Sequence, residues 1–522
     1  MVTVPLELPP GVFRNGTPLQ SKPRWRETQL VRWREGVLEP NMGWAHRTKE
    51  AGEPPVPVPL QVEGAARAAF SWRDNAGGAW LAIGTHSHLY AFGSGIDKID
   101  ITPATYTAGV IDAALSDGYG MGDYGEGDYG MPAVLEGEDA VYAPATMWTL
   151  DNWGENLLAQ ANTDGVIYEW AFTGLAEPVA NAPVNNASFV VTNERILMAI
   201  GANDLPRLVK WSDQENNTEW TPDPLNQAGE QELHTAGVLI HAMTVPDGTL
   251  IWSTEDVWLA RYLGQPFIYG FEALAGKCSL VSKQAIANID NRVVWMGNNG
   301  FWMYDGFLKP LPCDVGDDLF SKLNRAQISK TWCLTNNDHY EAVWFYPSEP
   351  SNEIDSYVTW NWRDNYWVTG KIQRLCGVGA VVFPKPILID ASATPVVPPE
   401  PAEPDLVAGY LWNHATDYDY PGAEPPFAET WPIELGEAEQ VMMVRKLIPD
   451  EITLGDVNVS FKTRQYPTGP EIPYPATGAY TLKNPTNLRL ANKQVAIRFT
   501  GARPTMWRIG KMRFDVVALG RR

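Results

Sequence analysis

The chain has 522 residues, of which 40 are Lys or Arg and 62 are Asp or Glu, so its formal net charge is −22. This length allows two or three domains, or one large repeat domain with an accessory module. The acidic excess argues against a surface that binds nucleic acid through its phosphates and against attraction to an anionic membrane. The 22 Trp, 20 Tyr and 16 Phe favour wide sheet faces and large interfaces, because each aromatic ring buries a large area.

Residues 1–60 predict an extended N-terminal arm with little core of its own. Prolines cluster near its start and again at positions 54–59, where they cannot lie inside helices or central strands. Between them, LVRWREGVLEPNMGW predicts a hairpin with its turn at Glu39-Pro40-Asn41. The opening segment lacks the basic and apolar regions of a signal peptide, so we expect none, and no apolar run has the length of a membrane span.

Residues 61–425 repeat one pattern, in which an apolar run reaches a polar turn and a second run returns to an aromatic residue. It recurs six times, as AWLAIGTHSHLYAF, NLLAQANTDGVIYEW, RILMAIGANDLPRLVKW, TLIWSTEDVWLARY, RVVWMGNNGFWMYDG and EAVWFYPSEPSNEIDSYVTWNW. Each copy has the β-branched and aromatic runs and the Asn, Asp or Gly turns of a β-hairpin. Their irregular period of roughly 40–50 residues is typical of propeller blades.

The rest of the chain departs from this pattern. A short helix is predicted at Asp317–Lys330, with Asp317 or Asp318 as its N-cap and Leu319, Phe320, Leu323 and Ile328 near helical spacing. A Pro-rich loop is predicted at 384–404 and a Gly/Tyr-rich loop at 117–131. Residues 426–522 alternate polar and apolar residues without the repeat, which predicts an antiparallel β-sandwich or platform module. The predicted fold is therefore mainly β: a propeller ring with a C-terminal module and an extended arm.

The Gly/Tyr-rich segment DGYGMGDYGEGDYGMP holds four carboxylates, Asp117, Asp123, Glu126 and Asp128, that could ligate calcium. Their spacing matches neither an EF-hand loop nor a calcium-binding nonapeptide repeat. We therefore favour a loop in which glycines allow close backbone approach and tyrosines pack.

Two segments share Trp-Arg-Asp-Asn, one beginning at Ser71 and one at Asn361. The first approaches the Asp-box turn of sialidase-like propellers, with spacing off by one residue. The arginine cluster and tyrosine–carboxylate pair of a sialidase cannot be assigned here. We favour polar hairpin turns in which Asp and Asn bond their own backbone.

The other chemistry-bearing residues form no recognisable site. Four cysteines, Cys278, Cys313, Cys333 and Cys376, make no close pair and are expected to be free thiols. The seven histidines form no metal-binding motif; His86 and His88 have strand spacing but no visible third ligand. No phosphate-binding loop or catalytic triad is present. We therefore predict no catalytic, cofactor-binding or metal-binding residues and no cofactor.

Residues 249–370 resemble a group of bacteriophage virion proteins, the β-propeller tail-hub, tail-nozzle and DNA-stabilisation proteins of short-tailed phages. The resemblance lies in the order Gly-Gln-Pro-Phe, Leu-Val-Ser, Trp-Met-Gly, Gly-Phe-Trp-Met-Tyr-Asp-Gly and Val-Trp-Phe-Tyr-Pro-Ser. The Gly/Tyr-rich segment, the closing WRIGKMRFDVVALGRR and the opening LVRWREGVLEPNMGW are also similar to this group. These phrases are turns and strands, and no catalytic residue is carried over.

The resemblance implies a structural virion protein that is not an enzyme. It would be a homohexameric tail hub or nozzle subunit, located in the virion tail and assembled in the host bacterial cytoplasm. Its partners would be adaptor and portal-side tail proteins and tail fibres. Packaged DNA would be retained and then pass without tight binding, which an acidic lumen favours, and no membrane partner is expected.

An alternative stays open from the residues themselves. A propeller can carry a carbohydrate pocket where loops from several blades converge, either over its axis or on the C-terminal module. The chain would then be a carbohydrate-binding or glycan-cleaving propeller that acts as a receptor-binding tail protein.

Overall fold

The computed structural model describes residues 2–16, 23–51, 56–94, 97–113, 144–274, 276–391, 408–434, 440–448, 456–466, 469–473, 478–479 and 486–521. Strands make up 51% of the structure and helices 4%, so the mainly-β prediction is confirmed.

Seven antiparallel sheets within these ranges form the blades of a β-propeller, each with an inner, second, third and outer strand. Blades 1–3 comprise Ala66–Arg73, Ala79–Thr85, Leu89–Gly93 and Asp97–Asp100; Trp148–Trp153, Asn156–Ala161, Tyr168–Trp170 and Glu177–Pro178; and Ser188–Val191, Leu197–Ile200, Leu208–Trp211 and Gly229–Glu232. Blades 4–6 comprise Leu239–Val245, Gly248–Ser253, Val257–Gly264 and Ile268–Ala273; Ile286–Ile289, Arg292–Met296, Phe301–Tyr304 and Leu308–Leu311; and Trp332–Asn336, Glu341–Tyr346, Ser356–Asn361 and Tyr366–Lys371.

The six sequence repeats are the second and third strands of blades 1–6, as predicted. Their apolar character follows from position, because the middle strands of a blade are covered on both faces by neighbouring blades. In blades 5 and 6 this burial is complete for Trp295 and Trp344, both 0% exposed. Trp295 meets Trp252 of blade 4 edge-on, with ring centroids 5.5 Å apart.

Blade 7 closes the ring with strands from opposite ends of the chain. Its first three strands are Cys376–Val378, Ile387–Ile389 and Ala408–His414, and its outer positions are filled by Trp44–His46 and Gln61–Glu63, which both pair with Ala408–His414. The inner strand of blade 7 packs against that of blade 1. The repeat pattern did not identify this blade, because its hairpin is interrupted by the Pro-rich segment.

The C-terminal residues form two further antiparallel sheets, and each takes a strand from the N-terminal arm. One sheet contains Val2–Leu6, Met512–Arg521, Gln440–Ile448 and Thr486–Asn492, in that order. The other contains Trp25–Gln29, Phe427–Thr430, Gln494–Gly501, Val457–Arg464 and Ile472–Pro473, flanked by Ile433–Glu434 and Gly478–Ala479. Buried residues of both sheets lie in one apolar cluster that reaches blades 4–6. The domain boundaries and the sandwich description remain predictions.

The predicted turn in the N-terminal hairpin was wrong. Strands Val31–Arg34 and Val37–Pro40 enclose Glu35 and Gly36, whose φ values are +53° and +78°. Two consecutive positive φ values are those of a type I′ turn, which matches the twist of the strands it joins. Pro40 instead ends its strand. A second hairpin, Thr48–Ala51 with Val56–Pro59, lies between the two closing strands of blade 7.

Two other predicted elements are corrected. The expected helix at Asp317–Lys330 is a helix at Gly316–Ser321 followed by a 3-10 helix at Arg325–Lys330, and Val315 occupies the N-cap without a side-chain bond. A shorter 3-10 helix spans Ala202–Asp204. The Pro-rich loop begins later than predicted, because Ile387–Ile389 is a strand; its residues 392–404 lie outside the described ranges, as does the whole Gly/Tyr-rich loop 117–131.

Candidate functional site

A wide polar cleft lies between blade 6 and the second C-terminal sheet, and its volume is about 1150 Å³. One wall is the outer strand of blade 6 with the segment that leads into blade 7, and the other is Trp25–Gln29 with the loop at 421–424. The end is formed by the short helix that begins at Gly316 and by the turn at 346–349.

The two walls are joined by direct hydrogen bonds at the base of the cleft. The Gln29 side chain donates to the Lys371 carbonyl at 2.6 Å and accepts from the Lys371 amide at 2.7 Å. The Thr28 hydroxyl donates to the Thr369 carbonyl at 2.6 Å. Because these bonds link one wall directly to the other, they hold the two walls of the cleft in a fixed position.

Charged groups of both signs line the cleft. Asp318 pairs with Arg14 and Lys322, and together these cations hold the pKa of Asp318 below its ordinary value despite burial, which acts in the opposite direction. Asp355 accepts hydrogen bonds from the amide and the hydroxyl of Ser348 at 2.9 and 2.7 Å.

Five aromatic residues line the cleft, and four of them, Trp44, Tyr346, Trp412 and Phe427, are buried. The fifth is the half-buried Trp431, whose indole lies beneath the Arg26 guanidinium at 5.6 Å. At the rim, Glu349, Lys371, Gln373 and Glu424 are exposed. Their polar ends are open to a solute in the cleft. The lining therefore offers an indole, amides, carboxylates and cations side by side.

Arg374 is a buried part of this lining and connects the cleft to blade 7. Its guanidinium is placed between Trp44 and Trp412, 4.8 and 5.4 Å from their rings. Its Nε donates to His414 Nε2 at 3.0 Å, so His414 is neutral, and burial lowers the pKa of that imidazole well below its ordinary value. Burial also lowers the pKa of Arg374 to about 10. Arg374 therefore holds the closing strand of the ring against the cleft wall.

The residues singled out in the sequence lie elsewhere. Asp74, in the first Trp-Arg-Asp-Asn segment, accepts from the Gly78 amide at 2.7 Å and from the Trp80 indole at 2.9 Å, and the latter bond lowers its pKa. Asn361 accepts from the amides of Arg363 and Asp364. Both segments are thus polar hairpin turns, as predicted.

The predicted histidine pair is corrected in its placement. His86 and His88 lie in the turn between the second and third strands of blade 1, not on a strand. His86 Nδ1 accepts from the Ala65 amide, and His88 Nδ1 lies 2.9 Å from the Ser87 hydroxyl. In the part of the chain that the structure describes, no three His, Cys, Asp or Glu residues form a group that could hold a metal ion.

The four cysteines are free, as expected, and burial raises the pKa of each thiol. None of the helices in the described residues has the length and apolar character needed to cross a membrane.

No pattern along the chain indicated the cleft, because its lining comes from the arm, blade 6 and the C-terminal segment. Trp431 follows a buried strand, and Gln373 precedes the inner strand of blade 7. The pairing of Trp25–Gln29 with Phe427–Thr430, and the hydrogen bonds of Gln29 to Lys371, bring these regions together. A pattern read along the chain contains no such information.

No protein-family model and no curated protein matches this chain. Among solved structures, it is similar to the WD40 domain of Neurospora crassa Pan2, with 8% identity, coverage of 68% of this chain and 90% of that one, and a TM-score of 0.35. It is similar to a glycoside hydrolase family 43 arabinoxylan arabinofuranohydrolase from Bacillus subtilis, with 8% identity, 88% and 96% coverage and a TM-score of 0.25. The extracellular domain of a one-component system from B. thetaiotaomicron matches at 9% identity and a TM-score of 0.32, over 71% of this chain and 40% of that chain's length.

These matches correct one expectation, that the chain is not an enzyme. Glycoside hydrolases are among the matched structures, so the propeller fold is one that enzymes use. At this level of similarity the matches assign no activity or substrate to the chain, and the propeller assignment rests on its strand topology.

Proposed function

We propose that this chain is a carbohydrate-binding β-propeller that receives a saccharide in the cleft between blade 6 and the C-terminal sheet. The observation that carries the proposal is the mixed lining of the cleft. A saccharide hydroxyl both donates and accepts hydrogen bonds, so its site needs donors and acceptors side by side. Glu349 and Glu424 supply acceptors, Lys371 supplies donors, and Gln373 supplies both.

The same lining disfavours other ligand classes. A nucleic acid or another polyanion would meet Asp318, Asp355 and the two rim glutamates, which repel phosphate. An apolar ligand would remove water from the exposed polar ends of Glu349, Lys371, Gln373 and Glu424 without offering them hydrogen bonds. The volume exceeds the 300–1000 Å³ typical of sites for single small ligands, which suits several linked sugar residues.

A glycan array and titration calorimetry on the purified chain test this proposal. We expect Trp431→Ala, and separately the double change Gln373→Ala with Glu424→Ala at the exposed rim, to weaken binding at least about fivefold, since stacking and each hydrogen bond are worth about 1 kcal/mol or more. Trp153→Ala is the matched control, because Trp153 is also a half-buried indole beneath an arginine, at 5.3 Å, but lies in blade 2. The absence of any glycan hit, or equal loss in the control, would refute the proposal.

A second candidate, favoured by a separate observation, is a structural subunit of a bacteriophage tail. Large apolar side chains are exposed on one face of the propeller, at the turns between the third and outer strands of consecutive blades. These are Leu225, Phe267 and Phe307, exposed to 93%, 74% and 75%. A subunit of a closed ring needs such lateral surfaces.

Under this second proposal the chain would form a homo-oligomeric ring, a hexamer by its sequence resemblance, in the virion tail. Adaptor, portal-side and fibre proteins would be its partners, and DNA would pass through the ring of copies. The charge of −22 supports weak contact with that DNA.

Mass determination in solution and DNA binding across a salt series test the second proposal. We expect an oligomer that dissociates on Phe267→Asp with Phe307→Asp. We also expect weak DNA binding with a shallow salt slope, because the net charge of −22 opposes close contact with phosphates. A monomer at high concentration, or tight binding with a steep slope, would contradict it. The glycan experiment is independent, so the two candidates can fail separately.

A further inference from the structure

The segment that leads into blade 5 crosses the propeller axis at the end where the blade entries meet. Gln284 Nε2 donates to the Trp148 carbonyl of blade 2 at 3.1 Å, and the Cys333 amide of blade 6 donates to the Gln284 carbonyl at 2.8 Å. The neighbouring Lys283 donates from Nζ to the Ala187 carbonyl at the entry of blade 3. Lys283 is thus held among the inner strands of several blades.

Lys283, which is partly buried, differs from the buried Lys330 at the same end of the ring. Lys330 pairs with Asp112 and Glu353, and Glu353 also pairs with the buried Arg67. For Lys283, no carboxylate among the described residues lies within ion-pair distance, and its one protein acceptor is a neutral carbonyl.

The groups around Lys283 leave hydrogen-bonding capacity unused. An ammonium carries three N–H groups, and the Ala187 carbonyl accepts one of them. His241 Nδ1, on the inner strand of blade 4, and Ser188 Oγ, directly after Ala187, are buried and have no hydrogen-bond partner among the described residues. Buried polar atoms almost always have partners, so an unpartnered imidazole nitrogen that faces the Lys283 charge, and an unpartnered hydroxyl on the residue after the carbonyl that Lys283 binds, indicate a ligand.

The titration of this cluster is consistent with a cationic site at neutral pH. Burial lowers the pKa of Lys283 to about 8, which leaves the ammonium protonated near pH 7. His241 is the titratable group that faces it; burial, and then the Lys283 charge, lower the pKa of that imidazole to about 3. Neutral His241 can therefore donate from one ring nitrogen.

We propose that Lys283, His241 and Ser188 form a binding site for a small oxyanion, a carboxylate or a phosphate group, at the axial end of the propeller. The site lies on blades 3–5 and is independent of the cleft, so it holds whether or not the cleft binds saccharides. The ammonium supplies charge and two donors, and the imidazole and hydroxyl supply the others.

Calorimetric titrations with inorganic phosphate and with glucuronate test the proposal and distinguish the two sources of the oxyanion. We expect saturable binding of at least one anion to the wild-type chain, loss of binding in Lys283→Met and partial retention in Lys283→Arg. Lys309→Met is the control, because Lys309 is a surface lysine paired with Asp305 at 2.8 Å. Equal binding by Lys283→Met, or no binding by the wild-type chain, would overturn the proposal.

If Lys283→Met does not fold, the pH dependence of anion binding to the wild-type chain tests the proposal instead. The glucuronate carboxylate does not titrate between about pH 7 and about pH 9.5, whereas an ammonium with a pKa of about 8 loses its proton there. If acetate or glucuronate binds, the affinity of that carboxylate should fall about thirtyfold over this range. If only phosphate binds, the affinity for phosphate should also fall, although phosphate becomes more negative. An affinity that does not change with pH would exclude Lys283 as the anion-binding group.

Discussion

Blades 1–6 and blade 7 are the same kind of sheet assembled in different ways. Each of the first six is one continuous stretch of chain, such as 286–311 for blade 5. Blade 7 combines 376–414 with 44–46 and 61–63, and both C-terminal sheets likewise take a strand from the first 29 residues. The difference means that local segments build the ring while distant pairings close it and attach the C-terminal sheets.

The two regions therefore contribute differently to folding. A hairpin closes a short loop, whereas pairing Trp44–His46 with Ala408–His414 closes a loop of several hundred residues. The entropy of loop closure rises with loop length, and non-local contacts form late. We therefore expect the blades to form the core of the ring by themselves, and the closing strands to be stable only when the ring is folded.

The largest expected effect is in the core of the ring. Trp344 is 0% exposed, donates to the Ala285 carbonyl at 3.0 Å and lies 4.8 Å from the Phe301 ring. Trp344→Ala should lower the free energy of unfolding by about 3–5 kcal/mol, and Trp295→Ala should do the same. Urea unfolding followed by fluorescence measures this.

The half-buried Trp153, at the end of a blade 2 strand, is the control for these core changes. Its replacement by Ala should cost clearly less. An unchanged midpoint for Trp344→Ala would mean that the blades do not form a cooperative core.

The second-largest expected effect concerns the ion pairs of Glu353 with Arg67 and Lys330, where blades 1 and 6 meet. Burial alone would raise the pKa of Glu353, but hydrogen bonds and charges from Arg67 and Lys330 hold it below its ordinary value of 4.5. Its contribution to stability is therefore present above about pH 4.5 and is lost as the pH falls through the depressed pKa.

Glu353→Gln should cost about 3 kcal/mol at neutral pH, because it leaves two buried cations with one carboxylate fewer. It should also flatten the acid side of the stability profile. Thermal unfolding from about pH 3 to 7, with the exposed Glu349→Gln as control, measures both. A profile as steep as that of the wild-type chain would show that Glu353 is not the titrating group.

The same difference between local and distant strand pairing explains how much of this structure could be predicted from the sequence. The pattern around Trp295 and Trp344 identified hairpins because partner strands are adjacent in sequence. It missed blade 7 because a proline-rich insertion separates Ile387–Ile389 from Ala408–His414. The cleft and the site at Lys283 were missed for a related reason: their residues are ordinary in sequence and gain meaning only from partners in other blades.

A smaller effect is expected in local opening: the closing strand Trp44–His46 should open at a lower free energy than the blades of the ring. The Trp44 amide donates to Asp419 and the Arg47 amide to Leu411. Because a three-residue strand protects them, these amides should exchange through openings of lower free energy than the amides around Val294 in blade 5. Native-state hydrogen exchange measures this, and equal protection would show that closure and ring unfold as one unit.

The smallest effect concerns a turn of the arm, where local geometry decides the outcome. Gly36 has φ +78° and open space where a Cβ would lie, so Gly36→Ala adds backbone strain and no clash. We expect a loss of about 1–2 kcal/mol, the cost of a left-handed conformation for a residue with a side chain. Gly300→Ala is the matched control, because that site is equally open and does not require a positive φ. Equal unfolding midpoints for the two variants would contradict the type I′ turn. A larger loss in Gly36→Ala would show that the arm, whose other strands pair with distant parts of the chain, also depends on a local signal in the sequence.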